Sequence, residues 1–391
     1  MLSFTINILL LIGVISILVF VHELGHFVVA RLNGVEVNEF SIGMGPKLWS
    51  KEKDGILYSI RLFPIGGFVS ILGEDENPPD PKLAKKIKES KNSFPNKKLS
   101  QRVAILIAGV TMNFILAVMI YYLILASTGF KFALPEGADL GNIKYGNIDL
   151  IVTDELQYNA LVEDGNAKKA GWPSKAYIKE INNKKVVTSS DMRTILADNK
   201  GKELEFVLCK SPNAKECDLY TSEVSNKGLV GVKIFTNYYY QVEYRGFSKL
   251  FAGFAHSGNV LSMAYSGLSR IFSDAKESGN YSEAVNSVGG PVSLYFIIDL
   301  VKGVGLVGIA DLTASLSLTL AVMNLLPVPA LDGGRIMLTT LRSILREKFS
   351  PKLEGWLVTS SYLALLLFMF VVFVKDIVFI EKFKALVESF K

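Results

Sequence analysis

Four stretches of this chain, residues 4–30, 102–127, 303–326 and 357–374, are apolar over the roughly 20 residues a helix needs to cross a bilayer. That feature excludes an ordinary soluble fold. Of the 391 residues 50% are hydrophobic, which leaves enough polar chain for domains that face water. The run Ile6–Phe20 has the length of a signal peptide, but it lacks a basic leader and a small-residue cleavage site and is expected to remain as a span. The expected class is a polytopic α-helical membrane protein with four transmembrane helices.

Charge orients these spans. Lys82, Lys85, Lys86, Lys88, Lys91, Lys97, Lys98 and Arg102 lie between the first two, and Arg335, Arg342, Arg346, Lys348 and Lys352 between the last two. Positive charge in short loops stays cytoplasmic, so both termini are expected outside, together with the long segment from about 130 to 245. Lysines beside apolar spans, with a net charge of only +5, argue against nucleic-acid binding.

Between the first two spans, residues 35–73 mix β-formers with glycine and proline, which predicts short membrane-associated strands. Non-helical backbone at membrane depth needs protein or a wet cavity beside it, so these strands are expected to line a site; a peripheral hairpin is the alternative. Residues 137–235 alternate β-like runs with a helical stretch, Ser190–Asp198, and read as an extracytoplasmic α+β domain. Its Cys209 and Cys217, the chain's two cysteines, are expected to close a hairpin around Ser211-Pro212-Asn213 as a disulfide in an oxidising space; two free thiols are the alternative. From 246 to 285, Phe247, Leu250, Phe251, Phe254, Leu261, Tyr265, Leu268 and Phe272 recur at near-helical spacing, as an interfacial amphipathic helix requires.

The chemistry sits in the first span. His22-Glu23-Leu24-Gly25-His26 is an H-E-x-x-H motif, and on a helix it puts both imidazoles on one face with the glutamate beside them. The chain has three histidines, and buried charge in a span is costly enough to imply function. A catalytic zinc needs a third protein ligand and an open position. With two cysteines far away in the sequence, the candidates are His256 and Asp332. The spans run alternately, so Asp332, at the end of the third, lies at the depth of His22 and His26, whereas His256 lies at the opposite face. Asp332 is therefore the expected ligand. Pro327 and Pro329 would break the helix before it, and Gly333 and Gly334 would permit a turn.

His22-Glu23-x-x-His26, Gly43-x-Gly45-Pro46, Gly109-x-x-x-Asn113, Gly289-Gly290-Pro291, Asn324-Leu325-Leu326-Pro327 and Leu331-Asp332-Gly333-Gly334 together resemble the site-2 protease family of bacterial regulated intramembrane proteolysis. The resemblance covers nearly the whole chain. It implies a Zn²⁺ cofactor on His22, His26 and Asp332, and Glu23 as the general base. It also implies that Asn324 contacts the substrate backbone; for Asn113 the same role stands beside that of polar glue between helices. The implied substrates are single-span membrane proteins, such as anti-sigma factors or signal-peptide remnants, cut at the cytoplasmic side of a bacterial inner membrane. Ala170-Gly171-Trp172 and Ile178–Val186 resemble part of a PDZ domain, although Ser174-Lys175 stands where many such domains have Gly-Asp. In the family such domains limit access by substrate size. The expected organisation is 1–127 for two spans and the strands, 137–235 for the PDZ-like domain, 246–285 for the interfacial helix and 286–391 for the last two spans.

Overall fold

A computed structural model describes residues 2–74, 81–134, 140–152, 156–186, 188–211, 214, 217–235, 238–281, 285, 288–345 and 351–381. The chain opens with α1 (Leu2–Leu32), β1 (Val37–Lys53), β2 (Ile56–Ile71), α2 (Pro81–Glu89) and α3 (Leu99–Ser127). There follow β3 (Lys131–Leu134), β4 (Asn147–Val152), β5 (Leu156–Leu161), α4 (Asn166–Lys169), β6 (Ala176–Ile181), β7 (Lys184–Lys185) and α5 (Ser189–Asp198). Next come β8 (Glu203–Cys209), β9 (Cys217–Glu223), β10 (Val232–Phe235) and β11 (Tyr238–Glu243). The last part holds α6 (Ala252–Ser278), α7 (Pro291–Val301), α8 (Leu306–Asn324), α9 (Asp332–Leu345) and α10 (Pro351–Val378). These elements form two compact units, Thr128–Leu250 and the remainder. Expected features at Arg346, Lys348 and Pro212-Asn213 lie outside the described residues.

Among the described residues of the helical unit four helices have the length and composition to cross a membrane: Phe4–Leu32, Leu99–Ser127, Leu306–Asn324 and Leu353–Val378. Their burial is inverted relative to a soluble protein. Leu9, Leu123 and Phe370 are more than 60% exposed, while Asn7, Asn113 and Ser317 are fully buried. Apolar chains turned outward and polar chains turned inward are what a hydrocarbon solvent selects, because lipid does not drive leucine inside. α6 follows the same rule: Phe254, Tyr265, Leu268 and Phe272 are exposed, while Gly253, His256, Ser257 and Asn259 are buried. Gly253 lets it approach α3 closely, since a Cβ there would lie 2.3 Å from the Val118 carbonyl oxygen.

Four helices among the described residues, α2, α4, α7 and α9, were not foreseen from the sequence. α7, at 11 residues, is too short to span. Its N-terminus carries Pro291 and is capped from across the chain by Asp376 Oδ2, which accepts from Gly290 N at 3.0 Å and Ser293 N at 2.9 Å. α9 begins at Asp332, where a turn was expected.

The strands at 37–71 are not short. β1 has 17 residues and β2 has 16, and both bend without losing their pairing, aided by positive φ at Gly43, Gly45 and Gly66. Residues 39–42 pair with 67–70 on one side and with 57–60 on the other, while 47–53 pair with 56–61. Arg61 ties this layer together: its guanidinium donates to Ser41 Oγ at 3.0 Å, to the Gly45 carbonyl at 2.9 Å and to Glu39 at 2.7 Å. Burial would raise the Glu39 carboxyl, but the Ser59 and Arg61 hydrogen bonds outweigh it and hold it below its ordinary value.

The second unit, Thr128–Leu250, is built of strands with the short helices α4 and α5. One antiparallel sheet runs β10-β5-β6-β8-β9, with β7 beside β6, and a second runs β3-β11-β4. The first covers a core of Tyr158, Trp172, Ile178, Ile181, Met192, Leu204 and Phe206. The N-cap of α5 is Thr188. Thr188 accepts from Asp191 N at 3.0 Å, and Asp191 accepts from Thr188 N at 2.8 Å, forming a capping box. Cys209 and Cys217 are joined by a disulfide between paired residues of β8 and β9.

Candidate active site

The site is assembled by α1, α3, β2 and the start of α9. Four-residue spacing on α1 brings His22 Nε2 to 3.2 Å from His26 Nε2. Asp332 Oδ2 lies 3.1 Å from the first and 3.5 Å from the second. Among the described residues these three side chains form the one group of at least three His, Cys, Asp or Glu donors able to share a metal. Asp332 Oδ2 is sealed from solvent without a hydrogen bond of good geometry, so a cation is what would satisfy it. A tetrahedral zinc with bonds of about 2.05 Å holds its donors roughly 3.3 Å apart, which is the spacing of this triangle. The donor set, two imidazoles and a carboxylate, suits zinc and leaves its fourth position open.

The surroundings orient the three donors. His26 Nδ1 lies 2.9 Å from the Ile105 carbonyl oxygen. With its proton donated there, the ring presents the Nε2 lone pair to the cluster. The rings have room because Gly109 of α3 faces them: a Cβ there would lie 2.4 Å from His26 Nε2 and 2.7 Å from His22 Cε1. Asp332 is held by the loop before α9. Gly333 and Gly334 serve close packing, since Cβ atoms on them would fall 2.2 Å from the Leu325 oxygen and 1.9 Å from the Val328 oxygen. Neither has a positive φ, which corrects the expectation that they make a turn.

Glu23 is half-buried beside the cluster, and its carboxylate accepts from the Val69 amide of β2. Gly67 also lies beside it, so β2 lines the site. Asn113 is fully buried, with its side-chain amide 3.3 Å from His22 Nδ1. Asn324 is the half-buried last residue of α8. His256 is outside the cluster, its ring centroid 4.7 Å from that of Tyr121, and burial pushes its imidazole down to about 4. Sequence reasoning missed Ile105, Gly67 and Val69. The first and last act through backbone atoms, for which side-chain identity carries no signal.

A fold of apolar spans with two imidazoles, a carboxylate and a flanking glutamate gathered among them defines a membrane-embedded metallopeptidase. The chain belongs to peptidase family M50, whose family model matches residues 10–369, and it is a zinc metalloprotease. It is 30% identical over 373 residues to a Clostridium acetobutylicum protein named for zinc metalloprotease activity, covering 95% of this chain and 98% of the relative. It is 27% identical to the zinc metalloprotease RasP of Bacillus licheniformis, over 92% of this chain and 96% of the relative. It is also similar to the regulator of sigma-W protease RasP of Bacillus subtilis, at 25% identity over 92% and 95% of the two chains.

Proposed function

We propose that His22, His26 and Asp332 hold the catalytic Zn²⁺ and that Glu23 moves the proton in hydrolysis of peptide bonds within or near the transmembrane segments of other proteins. The observation that carries this reading is the three-donor cluster with Glu23 beside it, three of the four residues lying inside an apolar span. Bound there, Zn²⁺ would supply Lewis acidity for the scissile carbonyl and the attacking water. Glu23 takes the proton from that water and passes it to the leaving amide nitrogen. The Val69 amide holds the carboxylate in place for both transfers.

A transmembrane helix hides its peptide bonds in its own hydrogen bonds, so the substrate must be extended before attack. Addition of the unwound segment to an edge of the β1-β2 layer would extend it, and Asn324 at the end of α8 would hydrogen-bond its backbone. The lysine-rich segment 82–102 and the basic stretch from Arg335 are cytoplasmic in this reading, which sets the site towards the cytoplasmic side of a bacterial inner membrane. The domain 137–235 is then extracytoplasmic and PDZ-like, and the exposed phenylalanines of α6 sit in the interface. The substrates in this reading are single-span membrane proteins such as anti-sigma factors, and a link to sigma-factor control is supported by the Bacillus subtilis relative named regulator of sigma-W protease.

The test is cleavage of single-span candidates by the full chain in liposomes. Glu23→Gln should lower the rate by about 100-fold or more while zinc content stays at one per chain. A variant that still cuts at the wild-type rate refutes the assignment.

A further inference from the structure

Asn113 has no access to solvent, and an unwound substrate could not reach its side chain without displacing the helices around it. Its main-chain carbonyl accepts from Ser317 Oγ at 2.7 Å, which pins this turn of α3 to α8. Its side-chain nitrogen lies 3.3 Å from His22 Nδ1, while its side-chain oxygen is buried without a partner. In that orientation the amide nitrogen donates to Nδ1, so the proton of His22 must sit on Nε2, where it points at Asp332 and His26. A ring so protonated turns an N–H to the cluster, and its lone pair, on Nδ1, is taken by Asn113. Turning the amide by 180° exchanges two atoms of nearly equal size and reverses the assignment. The orphaned oxygen then accepts from Nδ1–H, and the Nε2 lone pair faces the cluster, as His26 already achieves through the Ile105 carbonyl.

We infer that Asn113 is a positioning residue for His22, its side-chain oxygen accepting from Nδ1–H and thereby selecting the tautomer whose Nε2 can bind zinc. This rests on His22 being a ligand. The role gives each imidazole its own acceptor on α3, one from backbone and one from a side chain, eight residues apart. It also accounts for a primary amide with no solvent and no substrate to serve.

The experiment is competition for Zn²⁺ against a chromophoric chelator, using the full-length protein in detergent. Asn113→Leu keeps the volume and removes the acceptor, and should weaken zinc binding by about 10- to 100-fold. Asn113→Asp keeps an acceptor and cannot donate when ionised, and should bind within about threefold of wild type or more tightly, since a carboxylate strengthens such a pair. Equal losses in both variants, or no loss in Asn113→Leu, would overturn the role. Should Asn113→Leu fail to fold, ¹⁵N-histidine spectra of the zinc-free wild type decide: a His22 tautomer protonated on Nδ1 supports the inference, and one protonated on Nε2 overturns it. His22→Ala that retains the zinc would instead sink the ligand assignment beneath it.

Discussion

At the residue scale, the donor triangle predicts which single changes empty the site. Asp332→Ala and His22→Ala should each remove tightly bound zinc, whereas His256→Ala, packed on Tyr121 outside the cluster, should keep one zinc per chain. Elemental analysis of the purified variants checks this, and loss of zinc on removing His256 would reverse the assignment. His256 has a different consequence. Its imidazole is held near 4 against an ordinary 6.5, so the unfolded chain takes up a proton first as pH falls. The stabilisation is full above pH 6.5 and is lost progressively towards pH 4, on the order of 3 kcal/mol in all. Thermal melts from pH 7 to 4 should therefore fall less steeply for His256→Phe than for wild type; parallel slopes would show that the ring does not titrate with folding.

At the element scale, the crossing of α1 over α3 is what makes two histidines into a site. The crossing is close because glycine stands on both helices: a Cβ on Gly25 would lie 2.4 Å from the Ala108 oxygen, and one on Gly109 would strike both rings. Gly109→Ala is expected to cost about 1–3 kcal/mol in overpacking and to weaken zinc binding. Gly13→Ala on α1, with nothing within 4 Å of its Cβ, serves as the control and should be neutral or slightly stabilising. Melting temperature and chelator competition read the two effects separately. In the other unit, the disulfide closes a loop with a sequence separation of eight, and its reduction should cost about 2.5 kcal/mol or less. Thiol labelling without reductant should find neither cysteine; full labelling would contradict the bond.

At the scale of the whole molecule, each unit has a core of its own. The sheet domain buries Tyr158, Trp172 and Phe206 within itself, and the proposed zinc site draws only on the helical unit. A protein lacking residues 137–235 is therefore expected to keep one zinc per chain, and a 128–250 fragment to melt cooperatively, as calorimetry would show. A size-filter role for the domain adds that intact substrates become cleavable in the truncated protein. Continued resistance with zinc retained would rule out that role.

Much of this was legible in the chain. Helical spacing is local, so H-E-x-x-H on an apolar run already put His22 and His26 on one face. Alternation of spans brought Asp332 to their depth, and alternating β-runs announced the sheet domain. What the sequence could not reveal lies where distant backbone meets. The Ile105 carbonyl that orients His26 and the Val69 amide that holds Glu23 are groups nearly every residue possesses, so no residue type marks them. The same holds for α7, whose cap comes from Asp376, and for α9, whose glycines are required by carbonyls eight and six residues earlier that fold back over them. Local periodicity determined which side chains of α1 share a face; the close approach of helices, set by packing in three dimensions, decided that they and Asp332 lie within reach of one cation.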